Sequence, residues 1–217
     1  MVQFNVVEVE PGHLHRGTEG PVSLESLGAG GFSESLAKEV DCALLPVHSC
    51  EDMKSLLWAK LQLNLANGVN ALADIPIKAM LEQRDYRRCF ALLQNELIAV
   101  TKARAVVLPK ITPVPAHILP KMLTLPNFLF TLLASKMLAI DPAARMSMWW
   151  DLSQNKKTEI DFLNGAVVDA GEEFGVDCPA NKALVAMIKK AEAGELKRGI
   201  SAADMLHALT RDPHSAQ

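Results

Sequence analysis

Residues 56–73, LLWAKLQLNLANGVNALA, decide how this chain folds. The run is apolar almost all the way round a helix, the mark of a helix buried on most of its faces. Its polar members are Lys60, Gln62, Asn64, Asn67 and Asn70. At ~100° per residue, Lys60, Asn64 and Asn67 fall within about 60° of one another, and Gln62 points the opposite way. One narrow stripe of an interior helix thus carries an amine and two carboxamides. Burying an ammonium without partners costs several kcal/mol. Two arrangements avoid that cost: a polar cleft along the stripe, or a half-exposed helix with Lys60 snorkelling to solvent.

The same helical character extends outward. Ser49, with Asp52 three residues on, reads as a helix start, and the helix runs to about Asp74. Pro76 opens a short helical turn, and a second long helix spans Arg84 to about Ala105. Residues 108–120 hold Pro109, Pro113, Pro115 and Pro120 and predict a stiff, irregular connection. Further helices are expected over Leu125–Leu138, from Asp141-Pro142 to about Trp150, from a Thr158 cap to about Phe174, over Ala180–Ala193, and after a Ser201 cap paired with Asp204. The tail from Asp212 is expected to fray. The first 48 residues differ. Val2–Val9 reads as a strand, Pro11-Gly12 as a turn, and His13–Arg16 with Pro21–Glu25 as a hairpin. Ser33 reads as the cap of a helix to Val40, and Leu44–His48 as a last strand. The expected division is therefore 1–48, with mixed β and α character, and 49–217, helical.

Composition narrows the classes. The 217 residues are 49% hydrophobic, enough for a sizeable core, and the formal net charge of -3 lacks the basic surplus of a nucleic-acid binder. Aromatics at 5%, with Leu and Ala abundant, favour helices over an all-β fold. The apolar stretch Met122–Ser135 contains Pro126 and is too short to span a bilayer. The start, MVQFNVVEVE, has no basic region ahead of an apolar one, and Cys42, Cys50, Cys89 and Cys178 show no CxxC spacing. These features predict a cytoplasmic chain with free, structural thiols and no membrane or nucleic-acid partner.

A second polar cluster lies at Ser147 and along Thr158-Glu159-Ile160-Asp161, followed by Asn164-Gly165. Thr158 and Asp161 have capping-box spacing, and Glu159 sits where a helix dipole favours an anion. Gly165 within FLNGAVV implies close helix packing. His13-x-His15 lacks a third ligand, so no metal site is expected. Gly28-Ala29-Gly30-Gly31-Phe32-Ser33 has Ser33 where a dinucleotide loop needs its third glycine, which excludes that fingerprint. Trp149-Trp150 reads as core plus rim.

Taken together, Trp58-x-Lys60-Leu61 with Asn64, Ser147-Met148, Thr158-Glu159-Ile160-Asp161-x-x-Asn164-Gly165 and Gly175-Val176-x-x-Pro179-x-Asn181 resemble the C-terminal helical domain of ketopantoate reductases (2-dehydropantoate 2-reductases). The resemblance runs from about residue 51 to about 193, and the opening β segment looks like the last strands of that family's nucleotide-binding domain. It implies a mainly α fold: a multi-helix domain like that of 6-phosphogluconate dehydrogenase, with a small N-terminal α/β remnant of a Rossmann domain. It also implies NADPH-dependent reduction of 2-dehydropantoate, or a similar 2-keto acid, to the 2-hydroxy acid, on the route to pantothenate and coenzyme A.

By that resemblance Lys60 protonates and stabilises the substrate oxygen. Glu159 helps hold substrate and lysine, facing Lys60 across a groove. Ser147 contacts the substrate carboxylate, and Asn64, with Asn67, binds its polar groups. Three departures stand out. Gly68 occupies the place of a second asparagine eight residues after the lysine, with Asn67 beside it. Met146 and Ala144 replace the serine and asparagine that precede Ser147. No GxGxxG follows a first strand, so the cofactor-binding residues are unassigned and the chain is expected to begin inside a longer protein's nucleotide-binding domain. Such a piece would persist as a homo-oligomer or within a longer protein. The competing expectations are a non-catalytic helical module that oligomerises or binds a partner, and the helical domain of another 2-hydroxyacid-type dehydrogenase.

Overall fold

The structure, a computed structural model, describes residues 1–211 apart from 5, 17–19, 27, 29–30, 136–137 and 139–140. The expected fraying after Asp212, the Gly17–Thr18–Glu19 part of the expected hairpin and parts of the Gly28–Gly31 loop lie outside the described residues. The chain divides into two compact units, Met1–Lys60 and Leu61–Gln217.

The first unit is a small α/β body. Strands β1 (Val6–Glu10) and β2 (His13–Arg16) pair antiparallel, with Val6 opposite Arg16 and a register shift between Glu8 and Glu10. The connecting Pro11-Gly12 turn needs Gly12 at φ 78°, a left-handed conformation open to glycine at little cost. The hairpin is thus β1–β2, not the expected pairing of His13–Arg16 with Pro21–Glu25, because the two-residue turn at Pro11-Gly12 brings β2 directly back along β1. Strand β3 (Val22–Glu25) instead pairs parallel with β4 (Val47–Cys50), and α1 (Phe32–Val40) forms the crossover that parallel strands require. Helix α1 is capped by Gly31 rather than Ser33, and β4 shares Val47 and His48 with the expected Leu44–His48 but runs on to Cys50. Ser49 belongs to β4. The capping of α2 (Met53–Asn64) falls to Asp52, whose carboxylate accepts the Ser55 backbone N–H at 2.9 Å. Helix α2 crosses from the first unit into the second.

The second unit is all helical. The expected long helix to Asp74 is interrupted at Leu65, where α2 ends and α3 (Ala66–Ala73) begins. Every residue of α3 is buried. Asp74 then turns left-handed at φ 54° and stops it. After α4 (Ile77–Glu82) comes α5 (Arg84–Ala103), the central helix. Its buried Tyr86, Phe90, Leu93, Leu97 and Val100 recur at helical spacing. Helices α6 (Leu119–Leu123), α9 (Asn164–Phe174), α10 (Pro179–Glu192) and α11 (Ala202–Thr210) all pack on α5. Helix α8 (Ser147–Ser153) packs on α3.

Two expected helices are shorter than their apolar patterns. The one over Leu125–Leu138 is α7 (Asn127–Leu133), starting after Pro126, and residues 136–137 lie outside the described set. The one from Asp141 starts only at Ser147, because Asp141 caps a local turn through the Ala143 N–H at 2.8 Å. The expected Thr158–Phe174 helix is a 3-10 turn, Ile160–Phe162, followed by α9. Thr158 does not cap it as a box: its N–H and Oγ1 both donate to Glu192 Oε1 at 2.7 Å, and Asp161 pairs with Lys189. The Ser201 cap is as expected, accepting the Asp204 N–H at 3.2 Å.

Arg87, which is 1% exposed, fastens α5 to α4 and to the junction between α6 and α7. Its guanidinium donates to Leu81 O at 2.7 Å, Leu123 O at 3.0 Å, Leu125 O at 2.8 Å and Asn127 Oδ1 at 2.9 Å, and it lies 4.1 Å over the Phe130 ring. A planar fork with five donors suits that cage of carbonyls.

Candidate functional site

The second unit brings together two of the residues singled out in the sequence. Asn67, 8% exposed on α3, donates through Nδ2 to Ser147 Oγ at 3.3 Å. Ser147 is exposed, at the first position of α8. The glycine at position 68 faces elsewhere. A Cβ there would stand 3.0 Å from Leu184 Cδ2 and 3.5 Å from Ile160 Cδ1, so an asparagine at 68 would enter the core. The carboxamide one residue earlier is the one that reaches Ser147.

Lys60 is half-buried in the first unit, and its Nζ donates to Val2 O at 2.5 Å. Asn64 is half-buried at the end of α2. Glu159 is exposed in the second unit, where its carbonyl accepts the N–H groups of Phe162 and Leu163 and opens the 3-10 turn.

Around Ser147 stands a set of side chains with little sequence signal of their own. Asn70, fully buried, accepts the Met146 N–H through Oδ1 at 3.0 Å and donates through Nδ2 to Ile75 O at 2.8 Å. Asp74 Oδ1 accepts the Trp149 indole N–H and lies 3.5 Å from Arg145 and 3.6 Å from Arg198. Arg145 also stacks 4.2 Å over the Trp149 ring. Trp150, 52% exposed, meets Trp149 edge to face at 4.8 Å; Trp149 is half-buried rather than part of the core expected of this pair. Asn70 was visible in the sequence as a polar break in an apolar helix. Asp74, Arg145 and Arg198 are far apart in the chain, and no spacing could have joined them.

The most distinctive sequence motif is structural. Asn164 and Asn181, both fully buried, pair through Nδ2 and Oδ1 at 2.9 Å. Asn181 Nδ2 donates in turn to Glu96 Oε2 at 2.6 Å, and Glu96 accepts the Ala180 and Asn181 backbone N–H groups at 2.8 and 2.9 Å. A carboxylate from α5 therefore occupies the N-terminus of α10, where the helix dipole favours it. Burial nevertheless pushes the Glu96 carboxyl above its ordinary value, against the three hydrogen bonds that lower it. Gly165 lies in the first turn of α9, 3.4 Å (as Cβ) from Ile160 O, rather than in a helix–helix contact. The close approach is at Gly171, where a Cβ would stand 2.5 Å from Val176 O and 2.7 Å from Cys178 Sγ.

The start of α1 carries groups that disfavour a dinucleotide's phosphates. Such a site needs free N–H groups and a positive dipole end facing the anion. Here the first turn of α1 carries the Glu34 carboxylate, and Ser33 stands where a glycine would allow close approach.

The similarities of the chain accord with this arrangement. The family model described as "Ketopantoate reductase PanE/ApbA C terminal" matches residues 52–192. A 2-dehydropantoate 2-reductase of Pyrobaculum aerophilum is 34% identical over 149 residues, covering 68% of this chain and 47% of the relative. One of Pyrococcus abyssi is 25% identical over 183 residues, covering 82% and 53%. A PanE/ApbA family ketopantoate reductase structure from Ralstonia eutropha superposes with a TM-score of 0.71 at 26% identity, covering 90% of this chain and 59% of that one. A D-mandelate dehydrogenase complex with NADH and anilino(oxo)acetate shares the fold, with a TM-score of 0.68 at 20% identity, covering 89% and 59%. The chain spans about half the length of the curated relatives it matches. The mainly helical architecture and the α3–α8 contact that joins Asn67 to Ser147 lie within the matched residues, and by that match the chain belongs to the ketopantoate reductase family.

Proposed function

We propose that this chain supplies the substrate-handling part of a nicotinamide-dependent reductase that converts 2-dehydropantoate, or a similar 2-keto acid, to its 2-hydroxy acid. The observation that carries the reading is the Asn67–Ser147 pair, a carboxamide and an exposed hydroxyl held together within residues that match the ketopantoate reductase family. Both groups suit a carboxylate or hydroxyl of a small polar substrate. On this reading NADPH, when bound, supplies the hydride. On the same reading the residues named here act on the substrate.

Lys60 Nζ holds the ketone oxygen and gives it a proton as negative charge develops there. Glu159 helps hold the substrate, Asn64 and Asn67 bind its polar groups, and Ser147 binds its carboxylate. The reaction belongs to pantothenate and coenzyme A formation in the cytoplasm. Among the described residues no helix is long and apolar enough to cross a membrane.

The test is turnover by the full-length protein that carries this chain, followed as NADPH consumption with a panel of 2-keto acids. Lys60→Ala is expected to lower kcat by orders of magnitude with unchanged melting. Glu159→Ala is expected mainly to raise KM. Unchanged turnover in Lys60→Ala refutes the role given to Lys60. A change confined to thermal stability in Glu159→Ala reduces that residue to a helix-start acid. Absence of turnover with every 2-keto acid refutes the function.

A further inference from the structure

We infer that Asn70 is a positioning residue for Ser147, acting through the backbone of Met146; this rests on the substrate-binding role proposed for Ser147. Asn70 is one helical turn beyond Asn67 on α3, so the two carboxamides leave the helix on neighbouring faces. They grip consecutive residues of the facing segment. Asn67 Nδ2 reaches the Ser147 hydroxyl at 3.3 Å, and Asn70 Oδ1 takes the Met146 N–H at 3.0 Å.

Met146 is the N-cap residue of α8 and has no side-chain cap hydrogen bond, so the Asn70 carboxamide defines where that helix begins. The other end of the same carboxamide is fixed. Nδ2 donates to Ile75 O at 2.8 Å and lies 3.9 Å from Met80 Sδ. With no solvent exposure, Asn70 has little freedom to compensate by rotating. A second tie, from Ile77 N–H to Ala144 O at 2.9 Å, holds the same segment two residues upstream. The segment therefore keeps its place when Asn70 is changed, but the start of α8 loses its anchor. A substrate-binding hydroxyl must be held to within about 0.5 Å to work. Asn70 touches no substrate on this account; it sets where the Ser147 hydroxyl stands.

The experiment uses Asn70→Ala, Asn70→Asp, Ser147→Ala and the double variant Asn70→Ala/Ser147→Ala in the full-length protein. With 2-dehydropantoate and NADPH, Asn70→Ala is expected to raise KM about tenfold with kcat within about threefold, and to add less than about twofold once Ser147 is alanine. Asn70→Asp, assayed at mildly acidic pH where the buried carboxyl is protonated, keeps both the acceptor for Met146 and a donor towards Ile75 O and is expected to recover most of the KM. Equal effects of Asn70→Ala with and without Ser147 overturn the proposal. A second arm reads amide hydrogen exchange without substrate. Asn70→Ala is expected to accelerate exchange at Met146 by about tenfold or more, with the α5 amides unchanged. Unchanged or uniformly faster exchange overturns the proposal. If the parent protein turns over no 2-keto acid, the functional reading fails by itself and the exchange arm still judges Asn70. If Asn70→Ala does not fold, Asn70→Asp decides: parent-like exchange at Met146 supports the proposal, and exchange accelerated at Met146 despite the retained acceptor overturns it.

Discussion

The Trp149 indole N–H donates to Asp74 Oδ1, tying the helix that starts at Ser147 to the left-handed residue that ends α3. The carboxylate also faces two guanidiniums, Arg145 and Arg198. It stands between two cations and an indole, and these contacts tie α8 to the end of α3. Asp74→Asn keeps a residue that tolerates the left-handed conformation and an acceptor for the indole, but removes the charge between the two arginines. It is expected to destabilise the fold by about 1 kcal/mol, and Trp149→Phe by a similar amount through the lost hydrogen bond. In a double-mutant cycle by urea denaturation, the two losses are expected to be less than additive, since Asp74→Asn already weakens the indole hydrogen bond by removing its acceptor's charge.

Gly171 is required by contact, not by its dihedral angles. An alanine Cβ would meet the Val176 carbonyl at 2.5 Å and Cys178 Sγ at 2.7 Å, and the carbonyl is backbone that cannot rotate away. Gly171→Ala is therefore expected to cost about 1–3 kcal/mol. Gly68→Ala meets only the flexible end of Leu184, at 3.0 Å, and is expected to cost less. Denaturation midpoints of the two variants, measured side by side, check the order.

The four thiols divide by environment. Burial pushes Cys89 and Cys178 up to about 12, whereas Cys42 is exposed and Cys50 half-buried. Only the thiolate reacts at a useful rate. A maleimide or disulfide reagent at neutral pH is expected to label Cys42 and Cys50 in the folded chain, and all four after unfolding. Rapid labelling of Cys178 in the folded chain would contradict the packing around Gly171.

Glu96 makes stability depend on pH in a stated direction. Its folded pKa is raised by burial above the ordinary value of 4.5, so the folded chain holds this proton more tightly than the unfolded chain does. Its contribution is most favourable below that ordinary value and declines as pH rises through the folded value. Glu96→Gln removes the titration. The stability of the parent relative to Glu96→Gln is therefore expected to fall as pH rises from about 4.5, in melts taken across mildly acidic to neutral pH.

Local chemistry made much of this protein legible in its sequence. Helical periodicity marks α5 from Arg84 and α10 to within a residue or two, and Ser201 with Asp204 caps α11, since repeat and cap are properties of neighbouring residues. The Asn67–Ser147 neighbourhood was reached through a family resemblance in residues that also read as a polar stripe. Tertiary structure alone decided the rest. β3 pairs with β4 and not with β2, because a parallel partner is chosen across a helical crossover. Thr158 turns to Glu192 and Asp161 to Lys189, because a capping box competes with partners brought from another helix. Arg87 sits inside the core because its guanidinium meets the carbonyls of Leu81, Leu123 and Leu125, which only the folded chain brings together. Patterns that repeat along the chain are written in the order of residues. A hydrogen bond between groups dozens of residues apart exists only once the core has set their distance.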